Sequence, residues 1–194
     1  MAHAFAEEID FAVAAIRRGE IVAYPTETFY GLGVDAFDEL ALARLRLLKG
    51  RKEKAISVLV DGPQMLERLC RVVPPRATAL MQRHWPGALT LALPARRGIP
   101  AALLWEGCVA VRQSSHPTAQ ALVTALGAPL TATSANRTGD PPATTAEAVD
   151  DIFEGRCRII HGGATKGGSP STLVRVRGEK IEILRRGAVE LEAL

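Results

Sequence analysis

Apolar residues recur along this chain with two alternating periods, one helical and one extended. Ile9, Ala12, Val13 and Ile16 fall at i, i+3, i+4 and i+7, the spacing of one helix face. An amphipathic helix is therefore expected to run to about Arg18, where Gly19 stops it. Residues 21–24 are a short apolar run that reads as a buried strand ended by Pro25. Asp38 is placed to cap a second helix, with Leu40, Ala43 and Leu47 as its apolar side and Gly50 as its close. Residues 56–60 read as another strand, and Pro63 opens a helix at the position where a missing N–H leaves nothing unsatisfied.

The alternation continues to the end. Ala77, Leu80, Met81 and His84 repeat the helical spacing before Trp85-Pro86-Gly87 breaks it. Residues 89–93 and 109–112 read as strands; Ala119, Leu122, Val123 and Leu126 mark a helix, and residues 129–133 a strand. Thr144-x-x-Glu147 has the form of a capping box ahead of Ala148, Val149 and Ile152. From Arg158 onward the tail is strand-rich, at residues 159–160, 172–176 and 181–184. Neither an internal repeat nor a linker interrupts the pattern. It predicts one α/β domain over residues 1–194, in which helices flank a twisted mixed sheet.

Composition narrows the class. Hydrophobic residues make up 47% of the 194 and charged residues 23%, which suits a globular chain with a buried core and not a disordered one. Residues 1–10 lack a basic start followed by an apolar run, and the apolar stretches elsewhere are too short to cross a bilayer. No membrane contact and a cytoplasmic address are the expectation. Cys70, Cys108 and Cys157 form no C-x-x-C pair and read as free thiols; His3, His84, His116 and His161 lack metal-ligand spacing. No protein-bound metal is expected. The net charge of +3 is a weak pointer to an anionic partner.

Four polar or glycine-rich segments each follow an apolar stretch, where open α/β sheets place ligands. Residues 25–33, Pro-Thr-Glu-Thr-Phe-Tyr-Gly-Leu-Gly, combine two hydroxyls, an acid and two glycines; they read as a ligand loop or as a tight turn. Residues 49–54 hold three lysines and an arginine at a helix C-terminus. Those cations suit the dipole there, or clamp a polyphosphate. Residues 131–139 place six hydrogen-bonding side chains directly after a strand. Ser171-Thr172 at a strand start and Arg185 at a strand end complete the set. A phosphate loop of the G-x-x-x-x-G-K-[ST] type is absent, residues 162–169 read as a flexible glycine-rich loop, and no Ser/His/Asp set stands out. The chemistry on offer is positive charge and hydroxyls, without an obvious nucleophile.

Taken in order, these segments, with Lys49-x-Arg51, Trp85-Pro86-Gly87-Ala88-Leu89-Thr90, Val111-Arg112, His116-Pro117, Ser134-Ala135-Asn136 and Leu184-Arg185-x-Gly187, resemble the YrdC-type threonylcarbamoyl-AMP synthases in their short single-domain form. The likeness runs from about residue 9 to 189. It implies a YrdC-like fold with a large basic concave face, and a nucleotidyltransferase that condenses L-threonine, bicarbonate and ATP into threonylcarbamoyl-AMP for tRNA modification. By the same resemblance Thr28, Arg112, Ala132 and Ser171 hold L-threonine. Lys49, Arg51, Ser134, Asn136, Pro142 and Arg185 hold ATP, with Lys49 and Arg51 as the catalytic pair. ATP is then a substrate, Mg²⁺ accompanies it, and the partners are tRNA and a downstream threonylcarbamoyl-transferase complex. Two other readings stand beside this one: an RNA-binding module without chemistry, and another carbamoyl-adenylate enzyme.

Overall fold

The computed structural model describes residues 2–50 and 55–191. In chain order the described residues form α1 (Ala2–Arg17), β1 (Val22–Pro25), β2 (Tyr30–Gly33), α2 (Glu39–Lys49), β3 (Val58–Leu59), α3 (Pro63–Leu69), α4 (Pro75–His84), β4 (Leu89–Pro94), β5 (Leu104–Trp105), β6 (Cys108–Arg112), α5 (Pro117–Leu126), β7 (Leu130–Thr131), β8 (Thr133–Ser134), α6 (Ala146–Phe153), β9 (Arg158–Ile159), β10 (Thr172–Arg177) and β11 (Lys180–Arg185). The expected α/β alternation is present, with the strands divided between two sheets. One has the order β8-β2-β1-β9; the other runs β11-β10-β4-β6-β3-β7, with β5 added beside β6. Both mix parallel and antiparallel pairs: β1 lies parallel to β9 and antiparallel to β2, and β4 parallel to β10 and antiparallel to β6.

Helix faces follow the periodicity where one apolar stripe exists. In α1 Ile9, Ala12, Val13 and Ile16 are buried, and in α5 Ala119, Leu122, Val123 and Leu126. The two helices pack on each other and on β1, and each large apolar side chain so buried contributes roughly 1.5–3 kcal/mol. Asp38 caps α2 as expected, accepting from Ala41 N at 2.9 Å, and Gly50 closes it with φ 63°.

The face of α2 is a correction. Leu40 and Leu47 are 72% and 81% exposed, whereas Ala41, Leu42 and Leu45 enter the core. Both stripes satisfy helical spacing, so the pattern alone is ambiguous. Choosing the Leu45 stripe also buries Lys49, one turn further along the same face. Three smaller corrections concern boundaries. Thr145, not Thr144, is the N-cap of α6, accepting from Ala148 N at 3.2 Å. The run 129–133 divides into β7 and β8, which belong to different sheets. Pro25 lies within β1, and residues 30–33, read as loop, are strand β2.

The glycines of β2 explain that last difference. Tyr24 faces Gly31 in the β1–β2 register, and its hydroxyl donates to Thr131 O at 2.6 Å. A Cβ on Gly33 would lie 2.8 Å from the Tyr24 ring and 2.9 Å from Leu130 Cδ1. Glycine is there to admit a buried ring between two sheets, which composition does not distinguish from a turn.

Candidate active site

The two-residue period of a strand sorts its side chains onto opposite faces. On β4, Leu89, Leu91 and Leu93 are fully buried in the core, as are Val109 and Val111 on β6 and Val174 and Val176 on β10. The alternate positions, Thr90 and Ala92, Cys108, Ala110 and Arg112, and Leu173, line a cavity of about 510 Å³ on the other face. β10, β4 and β6 are adjacent, so one sheet face made of small and polar residues forms the floor. The walls are Thr26, Thr28, Phe29 and Tyr30 of the β1–β2 hairpin and residues 132–134 at the β7–β8 crossing. The volume lies in the range of small-molecule sites.

Six of the candidate residues converge on this cavity: Thr28, Arg112, Ala132, Ser134, Ser171 and Arg185. Ala132 is the residue at which the chain passes between sheets. Its N–H donates to Ser57 O at 2.7 Å, and its carbonyl accepts from Ser57 Oγ at 2.9 Å. Arg185 donates to Ser171 O from Nε and Nη2 at 3.1 and 2.8 Å, and to Ser171 Oγ at 3.0 Å. Ser171 and Thr90 share a hydroxyl hydrogen bond of 2.8 Å. Burial, then the neighbouring charge of Arg112, holds the Arg185 guanidinium below its usual pKa. Two cations thus meet in a cavity where desolvation makes an anion welcome.

Lys49 and Asn136 stand one hydrogen bond behind the wall. Lys49 is only 4% exposed; its ammonium donates to Ser134 O and, at 3.1 Å, to Asn136 Oδ1. Asn136 Oδ1 also accepts from Ser134 Oγ at 2.7 Å, and its amide donates to Asp140 O at 2.6 Å. The Lys49 carbonyl accepts from both the N–H and the hydroxyl of Thr138. The lysine of one polar segment is therefore bound to the Ser-x-Asn of another. Pro142 is half-buried and does not line the cavity. Arg51, with Lys52 and Lys54, lies outside the described residues.

The hairpin loop is internally braced. Thr26 Oγ1 donates to Phe29 O at 2.7 Å, lies 3.1 Å from Thr28 Oγ1 and accepts from Thr28 N at 3.3 Å. The glycine-rich segment 162–169, expected to be a flexible loop, is anchored over it. Tyr30 OH donates to Gly163 O at 2.8 Å, and Gly167 N to Thr28 O at 2.8 Å. Sequence reasoning gave no role to Ser57 or Trp105 and no individual role to Glu27 or Thr90, which it met only within longer segments; strand alternation around residues 89–93 carried a signal for Thr90. Cys70 and Cys108 are buried free thiols and Cys157 is half-buried; burial pushes the Cys70 thiol up to about 12.

With that geometry in view, a family model for Sua5, YciO and YrdC, described as "Telomere recombination", matches residues 14–187. The chain belongs to the Sua5/YciO/YrdC family. Among curated relatives, the threonylcarbamoyl-AMP synthase of Thiobacillus denitrificans is 40% identical over 87% of this chain and 90% of its own length. That of Pyrococcus abyssi is 37% identical over 96% of this chain. A solved structure of P. abyssi Sua5 complexed with L-threonine is similar with a TM-score of 0.87 at 38% identity, over 92% of this chain. The chain spans about half the length of these Pyrococcus proteins, 56% and 54%. The Sua5/YciO/YrdC architecture accounts for the mixed sheets and the helices around them.

Proposed function

We propose that this chain is an L-threonylcarbamoyladenylate synthase, a nucleotidyltransferase that joins L-threonine, bicarbonate and ATP and releases pyrophosphate. The observation that carries the proposal is convergence. Thr28, Arg112, Ala132 with Ser134, Ser171 and Arg185 come from five separate stretches of sequence and line one cavity, with Lys49 one hydrogen bond beyond Ser134. Relatives sharing 37–40% identity are threonylcarbamoyl-AMP synthases, and the P. abyssi protein was crystallised with L-threonine.

In this reading Arg112 binds the threonine carboxylate as a planar fork, and Thr28, Ala132 and Ser171 line the amino-acid end. Lys49 and Arg51 neutralise phosphate charge, while Ser134, Asn136, Pro142 and Arg185 hold the rest of ATP. The threonine nitrogen captures carbon dioxide derived from bicarbonate, and a carbamate oxygen attacks the α-phosphorus, expelling pyrophosphate. The step needs no protein nucleophile. Its acceleration rests on positioning, up to roughly 7–11 kcal/mol where orientation is ideal, and on cations in a desolvated site. Mg²⁺ would enter with ATP: among the described residues Glu27, an acid beside the cavity, is committed to Arg112 and Ser114, so the ion would be held through the triphosphate and would neutralise its charge. One domain carries the activity, the setting is the cytoplasm, and the product passes to a threonylcarbamoyl transferase acting on tRNA.

The test is incubation with ATP, bicarbonate and either L-threonine or L-serine, read by mass spectrometry for the adenylate and by pyrophosphate release. Formation that requires both bicarbonate and threonine is expected. ATP turnover indifferent to threonine would sink the proposal; salt-sensitive tRNA binding without any turnover would favour the RNA-binding reading.

A further inference from the structure

We infer that Glu27 is a positioning residue for amino-acid recognition, holding the Arg112 guanidinium in the orientation that meets the substrate carboxylate. The inference rests on the proposed threonine site. One oxygen of Glu27 accepts from Arg112 Nη1 and the other from Ser114 Oγ. The two partners of the ion pair are both sheltered, with the Arg112 side chain 7% and the Glu27 side chain 12% exposed. Ser114 is completely buried, and its hydroxyl is fixed by accepting from His116 N at 3.2 Å. Its carbonyl accepts in turn from the Gln120 amide of α5. The carboxylate is therefore clamped between a helix start and a strand end.

Arg112 lines the cavity and Glu27 does not, although Thr26 and Thr28 on either side of it do. Glu27 thus reaches the substrate only through the arginine. Of the five N–H donors on a guanidinium, the hydrogen bond to Glu27 takes one, leaving donors for a second anion. Something must hold that fork, because Arg185 presents a like charge to it across the cavity and an arginine side chain has many rotamers to lose. A carboxylate behind it supplies orientation in advance, as hydrogen-bonded partners behind functional groups do elsewhere. Glu27 sits on the braced hairpin loop, so the position of the fork is tied to that of Thr28.

The experiment compares wild type with Glu27→Ala, Glu27→Gln and Ser114→Ala. L-threonine binding is measured by calorimetry, KM for threonine and for ATP in turnover, and the melting temperature for each. Glu27→Ala should weaken threonine binding by about 10- to 100-fold, with KM for ATP unchanged. Glu27→Gln, which keeps an acceptor for Arg112, should recover part of the loss, and Ser114→Ala should show a smaller loss of the same selectivity. Should Glu27→Ala fail to fold, the glutamine and serine variants carry the test alone. Equal or tighter threonine binding in the variants overturns the inference. So do parallel losses for threonine and ATP that track the melting temperature. A wild-type protein that binds no threonine overturns the underlying functional reading instead, so the two failures are told apart.

Discussion

On β10, one strand in from the edge of the seven-stranded sheet, Arg175 is surrounded by acid. It pairs with Glu106 and Glu182, and its guanidinium lies 4.8 Å over the Trp105 ring. On the cavity face of the same sheet, Arg112 shares a single carboxylate, Glu27, with Ser114. The hydrogen bonds of Arg185 go to the neutral oxygens of Ser171. The same residue type thus serves two ends. Around Arg175 positive charge is compensated and stacked, and because Glu106 and Glu182 are about half exposed, screening by water makes each pair weak. In the cavity it is left in excess and desolvated, a cost to the empty protein that a bound polyphosphate and carboxylate can offset. The difference separates positive charge already neutralised by its own acids from positive charge kept ready for anions.

The comparison breaks most sharply at Arg112. Arg112→Ala strands Glu27 without its partner, and unfolding in urea should show a loss of about 3–5 kcal/mol, while calorimetry should detect no threonine binding. Arg185→Ala removes a cation that pairs with no acid among the described residues. Pyrophosphate release should fall about 100-fold or more, yet stability should move by no more than about 1–2 kcal/mol. An equal stability loss in both variants would erase the distinction between a paired and an unpaired cavity arginine.

A pH series gives a smaller effect. His116 caps α5 by accepting from Thr118 N at 3.2 Å, which requires an unprotonated Nδ1. Burial holds its pKa below the ordinary 6.5, against the opposing pull of Glu27. The unfolded chain therefore binds the proton more readily than the folded one. Stability is present at neutral pH and lost as pH falls below about 6.5, which thermal melting across that range will show and His116→Asn should flatten. At the outer edge the Glu182 carboxyl is held below 4.5, first by its hydrogen bond to Arg175. Its contribution lasts down through that window and is lost only in stronger acid. Smallest of all is Glu182→Ala, which should leave turnover unchanged and lower the melting temperature only slightly. A drop in threonine binding there would mean that the network acts on the substrate through Trp105, which lines the cavity.

Much of the fold was legible because it is written in short-range terms. The buried faces of α1 and α5, the Asp38 cap and Gly50 stop of α2, and the strands of residues 89–93 and 109–112 all follow from spacing and capping over a few residues. Residues 131–139 were legible too, as a place with more hydrogen-bonding capacity than a turn requires, and the other polar segments as candidates whose turn or surface reading stayed open. Their meeting was not. Lys49 and Asn136 are 87 positions apart, and Glu27 and Arg112 are 85; only sheet register closes such distances.

By itself, then, the amino-acid order determined where helices start and stop, which residues are apolar, and the supply of arginine, lysine and hydroxyl groups. The tertiary structure alone decided that α2 turns Leu45 inward and so delivers Lys49 to Ser134. It decided that residues 30–33 extend as a strand beneath Tyr24, and that residues 130–134 cross from one sheet to the other at Ala132. The reason is the range of the forces involved. Helical and extended periods express neighbours along the chain, whereas the choice between two equally apolar faces, or between a free and a paired arginine, depends on which surfaces become available once the two sheets have met.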